Sequence, residues 1–156
     1  MAIARRLRWY LDHCGVPYEV LPHPHSESST ETARQARVPA DRLAKPVLLE
    51  DERGYVVAVV PASRRIDLRS LGAQLHRELE LASEEEIAQL FPDCERGALP
   101  PVAMPYRLPV VFDDALSELP DVYFEAGDHE DVVHVRGEDF VALLDGALHG
   151  HFSRAL

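Results

Sequence analysis

The sequence predicts an α+β fold: one domain, built on a mostly antiparallel or mixed β-sheet with helices packed around it. Three observations predict this. The chain has 156 residues, the size of one ordinary domain, and 46% of them are hydrophobic, enough to close a core. Apolar residues recur at helical spacing in several separated stretches, while valine-rich runs of strand length lie between them. No internal repeat, low-complexity tract or linker divides the chain, so residues 1–156 read as a single unit.

The elements follow in order. Ile3, Leu7, Tyr10, Leu11 and Cys14 share one helical face, and Gly15 with Pro17 ends that helix. Tyr18 to Leu21 reads as a short strand. His23-Pro24-His25-Ser26 breaks it, and Ser28 followed three residues later by Glu31 is a capping-box signature for a second helix through Ala33 and Ala36. Val47 to Glu50 and Tyr55 to Val60 read as central antiparallel strands, joined by the turn residues Asp51-Glu52-Arg53-Gly54. Asp67 caps a helix that turns Leu68, Leu71 and Leu75 inward, Leu79 to Leu81 suggests a short strand, and Ser83 with Glu86 forms a second capping box before Ile87, Leu90 and Phe91. The stretch from Gly97 to Pro105 is apolar, but its prolines exclude a central strand or a helix interior, so it reads as a loop that must pack. Val110 to Phe112, Val122 to Glu125 and Val132 to Val135 supply further strands, the last two joined through Gly127-Asp128-His129-Glu130. Phe140 to Leu148 reads as a closing amphipathic helix, and residues 149–156 as a frayed C-terminal tail.

Charge narrows the partners. With 27 acidic and 16 basic residues the net charge is −11, which argues against a broad, sequence-independent clamp on a phosphate backbone, DNA included. Any contact with RNA is expected to be local. No apolar run approaches the roughly 20 residues of a membrane helix, and charged residues interrupt the N-terminal stretch before a signal-peptide core forms. A cytoplasmic protein with reduced thiols at Cys14 and Cys94 is expected. Among the cations, fifteen are arginine and one, Lys45, is lysine. A lone lysine in such a chain suits a place where a compact ammonium is needed and a planar guanidinium is not.

Several kinds of chemistry find no signature. There is no Gly-x-Ser-x-Gly elbow, no glycine-rich phosphate loop, and neither cysteine has neighbours that lower its pKa. His23-x-His25 and His149-x-His151 pair imidazoles, but no HExxH or cysteine cluster accompanies them, so neither a metal nor a cofactor is predicted. What remains is positioning and electrostatics. The Pro-rich loop is either a packed crossover or a rigid ligand-facing loop, in which backbone N–H groups at Gly97 and Ala98 would hold a carbonyl oxygen. His129, in a turn beside Asp128, is either a solvated turn residue or a side chain at a pocket mouth.

Taken in order, Lys45-Pro46-Val47-Leu48-Leu49, Val59-Val60-Pro61-Ala62, Asp67-Leu68, Gly97-Ala98-Leu99-Pro100-Pro101, Leu108 to Asp113, Phe124-Glu125-Ala126-Gly127 and Asp139-Phe140 resemble the YbaK and prolyl-tRNA-synthetase-associated editing domains over about residues 3–144. The resemblance implies a partly barrel-like fold and a free-standing trans-editing deacylase that hydrolyses the ester of mischarged tRNA, acting on the acceptor end, with an aminoacyl-tRNA synthetase as a possible partner. It implies a catalytic role for Lys45 and a pocket bordered by Gly97, Ala98 and Pro100. The Gly127-Asp128-His129 turn matches members that remove alanine, so Gly127 and His129, with His23, His25 and Thr30, are expected to shape the pocket around a small amino acid. Two positions depart from the family pattern: Pro46 replaces a small polar residue and His23 replaces an aromatic one. A non-catalytic aminoacyl- or peptide-binding module is the alternative reading, and a metal-dependent hydrolase using the histidines a third.

Overall fold

The computed structural model describes residues 3–156; Met1 and Ala2, the start of the stretch weighed as a leader, lie outside the described residues. The elements run α1 (Arg5–Cys14), β1 (Glu19–Pro22), α2 (Ser29–Ala36), β2 (Leu43–Asp51), β3 (Gly54–Pro61), β4 (Arg64–Ile66), α3 (Leu68–Leu75), β5 (Glu80–Leu81) and α4 (Glu84–Leu90). They continue with β6 (Val110–Asp113), β7 (Asp121–Glu125), β8 (Asp131–Arg136), α5 (Gly137–Leu143), β9 (Leu148–Gly150) and β10 (Ser153–Ala155). Among the described residues no helix is long and apolar enough to cross a membrane.

The fold is α+β, as the patterning predicts. The main sheet has the order β1-β8-β7-β2-β3-β6-β9, with β5 also beside β2, and β4 pairs with β10 in a small second sheet. Hairpins give antiparallel pairs at β2/β3 and β7/β8, whereas β2/β7, β3/β6 and β6/β9 are parallel. Long excursions precede these parallel partners, as parallel pairing requires.

Strand alternation sorts the core. Ala44, Leu48, Val57 and Val59 face Leu7 and Leu11 of α1 and Phe140 and Leu143 of α5, while Leu49, Val56, Ala58 and Val60 face Leu71 of α3 and Phe152. The caps read from the sequence are in place. Ser28 Oγ accepts from the Glu31 N–H, Asp67 from Ser70, and Ser83 with Glu86 forms the reciprocal box. The C-terminus differs from expectation. The last helix ends at Leu143, and the residues read as a frayed tail form β9 and β10. Phe152 is 1% exposed, and its N–H donates to Asp113 Oδ2 at 2.9 Å. A single buried aromatic anchor orders the segment, which local propensity does not register.

One irregularity positions the site. Along one edge of β2, β7 pairs only with Leu43 and Ala44 and β5 only with Leu49 and Glu50, so on that edge none of the described strands lies beside Lys45, Pro46 and Val47, which pair with β3 on the other. The ladder explains how a proline is accommodated in a central strand. The Ala62 N–H donates to Leu43 O on the β3 side, and the Ala82 N–H to Leu48 O on the opposite side. Even-numbered residues of β2 therefore aim their backbone groups at the open edge. Pro46 falls there and costs no ladder hydrogen bond.

Candidate active site

Where β2 and β7 part, their parallel register (Leu43 beside Tyr123, Ala44 beside Phe124) carries one step further to bring Lys45 level with Glu125, on the face shared with Leu43 and Tyr123. A cleft of about 240 Å³ opens at this parting, walled by Ser29, Pro46, Leu48, Gly97, Leu99 and Glu125 among others. Beside it, sharing Glu84 and Gly97, is a wider hollow that His25, Glu27, Glu95 and His129 also line.

The loops that frame the cleft are tied together by main-chain bonds. The Glu95 N–H donates to Gly127 O at 2.7 Å, and the Ala4 N–H to Ala126 O at 2.8 Å. A side chain at Gly127 (φ +104°) would meet Ala4 Cβ at 2.9 Å. Gly97 also has a positive φ, +77°, and a Cβ there would come within 3.3 Å of His129 Nε2. In both places glycine lets two segments approach where a side chain would hold them apart. The Pro-rich loop and the 127–129 turn, far apart in sequence, thus meet at Gly97.

Behind the cleft wall lies a buried polar chain. Ser26 Oγ and Thr32 Oγ1 share a hydrogen bond of 2.5 Å, and Thr32 Oγ1 donates to Glu125 Oε2 at 2.9 Å. His129 Nδ1 stands 3.5 Å from the same carboxylate oxygen, and its Nε2 is 2.5 Å from Arg96 O. Because a carbonyl only accepts, Nε2 carries the proton. Glu125 is 2% exposed and His129 3%. Burial pushes the Glu125 carboxyl above its ordinary range, against the lowering influence of Thr32, His129 and His23. The turn is held by Asp128, whose Oδ1 accepts from the N–H groups of Glu130 (3.0 Å) and Asp131 (2.9 Å), and His129 takes a left-handed φ of +58° within it.

Lys45 is half-buried, which lowers its pKa, and its Nζ donates to Arg64 O at 3.0 Å. Among the described residues it forms no ion pair, and the cleft wall includes its neighbours Pro46 and Val47 but not Lys45 itself. His23 is buried, its Nδ1 bonded to Pro24 O at 2.7 Å; His25 is exposed, its ring edge-on to His129 at 5.6 Å. Pro100 and Ala98 are buried behind the loop, while Gly97 is exposed. The Ala98 N–H is not free as the sequence suggested, since a tight turn directs it to Glu95 O at 3.1 Å. Thr30 is exposed on α2; the threonine of that helix in the polar chain is Thr32. Sequence reasoning missed Ser26, Thr32 and the buried role of Glu125. The signal for Glu125 was an acid inside the apolar run Tyr123-Phe124-Glu125-Ala126. Burial pushes the Cys94 thiol up to about 12, which disfavours its thiolate.

The sheet thus parts beside Lys45 and the buried Glu125, and the Gly97 loop meets the His129 turn at the cleft so formed. Residues 23–143 match the model of the aminoacyl-tRNA editing domain, and the chain belongs to that family. It is 28% identical over 119 residues to the proline–tRNA ligase of Leuconostoc citreum (strain KM20), covering 76% of this chain but only 20% of the ligase. Among solved structures it superposes on hypothetical protein APE2540 with a TM-score of 0.85 (21% identity; 96% of this chain, 100% of that one). A candidate trans-editing enzyme for prolyl-tRNA synthetase gives 0.84 (23% identity; 97% and 96%). At these identities the structural likenesses establish the fold.

Proposed function

We propose that this protein is a trans-editing deacylase that hydrolyses the ester between a small amino acid, alanine foremost, and a non-cognate tRNA. The observation that supports the reading is the cleft where β2 and β7 part, with Gly97 of the loop at its wall and Lys45, whose neighbours Pro46 and Val47 line it, beside the parting. Water, or the neighbouring ribose hydroxyl of the terminal nucleotide, attacks the ester carbonyl. Lys45, whose ammonium has donors beyond the one given to Arg64, orients the acceptor end and balances the charge that develops on the carbonyl oxygen. Gly97 allows close approach of the acyl group, and His129, His23 and His25 shape the acyl pocket with Pro100 and Ala98 packed behind the loop. The setting is the cytoplasm, and the likeness to a proline–tRNA ligase makes tRNA charged by that synthetase the first substrate to test.

A panel of mischarged tRNAs incubated with the protein tests this. The expected result is faster release of alanine from a mischarged tRNA than of the cognate amino acid from its own tRNA. A protein that leaves the whole panel intact while binding it would be a recognition module.

A further inference from the structure

Four buried side-chain atoms around the turn have no hydrogen-bond partner in the protein: Glu125 Oε1, His129 Nδ1, His23 Nε2 and Asp128 Oδ2. Their chemistry is uniform. His23 Nδ1 and His129 Nε2 both face carbonyl oxygens, so both nitrogens are donors, and in each neutral ring the other nitrogen is an acceptor. The carboxylate oxygens are acceptors as well. A buried acceptor without a donor costs roughly 1–3 kcal/mol, and two of the four, Glu125 Oε1 and His129 Nδ1, belong to residues that line the cleft and the adjoining hollow. A proton shared between Glu125 Oε2 and His129 Nδ1 would satisfy one of these atoms only, because Thr32 and His129 both meet Oε2 and leave Oε1 free.

The surroundings have the same polarity. Glu84 and Glu125 line the cleft, and Glu27 and Glu95 line the adjoining hollow. The one guanidinium at the rim, Arg96, is turned to Glu84 at 3.6 Å. This end of the site repels a phosphate and attracts a cation. The rest of the cleft wall is mainly apolar, with Pro46, Val47, Leu48, Ile87 and Leu99 beside Gly97. A neutral hydroxyl brings one donor to such a place; a primary ammonium brings three, with a positive charge.

We infer that the Glu125–His129 corner of the cleft is a binding site for a primary ammonium on a small aliphatic group, which, granted the deacylase reading above, is the free α-ammonium of the aminoacyl ester. The site thereby distinguishes an aminoacyl ester from an N-acylated one, and from the ester of a hydroxy acid of the same shape. Glu125 takes the ammonium on Oε1, and His129 Nδ1 accepts a second N–H. Thr32 and Ser26 hold the carboxylate from behind.

A binding experiment that needs no turnover tests this. Adenosine analogues that carry alanine through a non-hydrolysable 3′-amide, with the α-amino group free, N-acetylated or replaced by hydroxyl, are titrated against the intact protein by calorimetry. The expected result is that acetylation or the hydroxyl replacement weakens binding on the order of 10- to 100-fold, and that Glu125→Gln removes most of the difference. Equal binding of the free and acetylated analogues by wild type, or no binding of either, overturns the ammonium site whatever the variant does. Deacylation of alanyl-tRNA by the same preparation keeps the two readings apart. Hydrolysis without discrimination sinks the ammonium site alone, and discrimination without hydrolysis sinks the deacylase alone.

Discussion

Lys45 illustrates how much one side chain's shape decides. It is the only lysine among sixteen basic residues, is half-buried, and is anchored by a carbonyl of the β3–β4 corner rather than by a carboxylate. A compact ammonium satisfies that geometry, whereas guanidinium presents a planar fork that needs other acceptors. Lys45→Arg is therefore expected to slow single-turnover deacylation nearly as much as Lys45→Ala, on the order of 100-fold, the effect of displacing a reacting group by about 1 Å. Near-normal rates for the arginine variant would reduce the residue to long-range attraction. Asp131 carries a separate expectation. Burial, then the neighbouring Asp128 carboxyl, pushes its pKa up to about 7, against about 4 in an unfolded chain. A raised folded value means that the folded state holds the proton more tightly. The stability this contributes is complete below about pH 4 and is lost as the pH rises through about 7. Asp131→Asn should flatten the fall in melting temperature between pH 5 and pH 8; an unchanged fall would show that another group governs it.

At the level of elements, the departures from expectation share a cause. β2 begins at Leu43, four residues before the run read from the sequence, and passes through Pro46, because the missing strand on one edge of β2 makes a proline harmless there. The C-terminal tail is ordered because β10 pairs with β4 and Phe152 fills the face under α3. Phe152→Ala is expected to cost about 3–5 kcal/mol in chemical denaturation, as removal of a fully buried aromatic does. A loss below about 1 kcal/mol would mean that the core collapses around the gap. The helix caps, by contrast, were legible residue by residue: Ser28, Asp67 and Ser83 act on backbone groups three positions away, so their partners lie in the same stretch of sequence.

For the whole molecule, the net charge of −11 limits how RNA can be held. Few phosphates can be neutralised at once, so binding of tRNA is expected to be weak, with a slope of log affinity against log salt of about three or less. A slope near that of a many-phosphate clamp would require a basic surface assembled elsewhere on the fold. The buried Glu125 carboxyl and Lys45, whose Nζ turns to Arg64 O, divide the site electrically. A ligand that is anionic at its nucleotide end and cationic at its acyl end matches that division.

The sequence by itself determined the fold class, the helices and their caps, the central hairpin, the family, and the segments to watch: residue 45, the Gly97 to Pro101 loop and the Gly127 to His129 turn. Each of these is written in spacing, propensity or an ordered set of motifs, which are properties of neighbouring residues. Only the tertiary structure decided that Gly97 touches the His129 ring, that the sheet parts beside Lys45, and that Glu125 is buried against Thr32 with one oxygen unpaired. Those facts depend on which strand lies next to which. Parallel pairing between segments some eighty residues apart leaves no periodic trace in either one, and a glutamate's burial is set by what the rest of the chain packs over it.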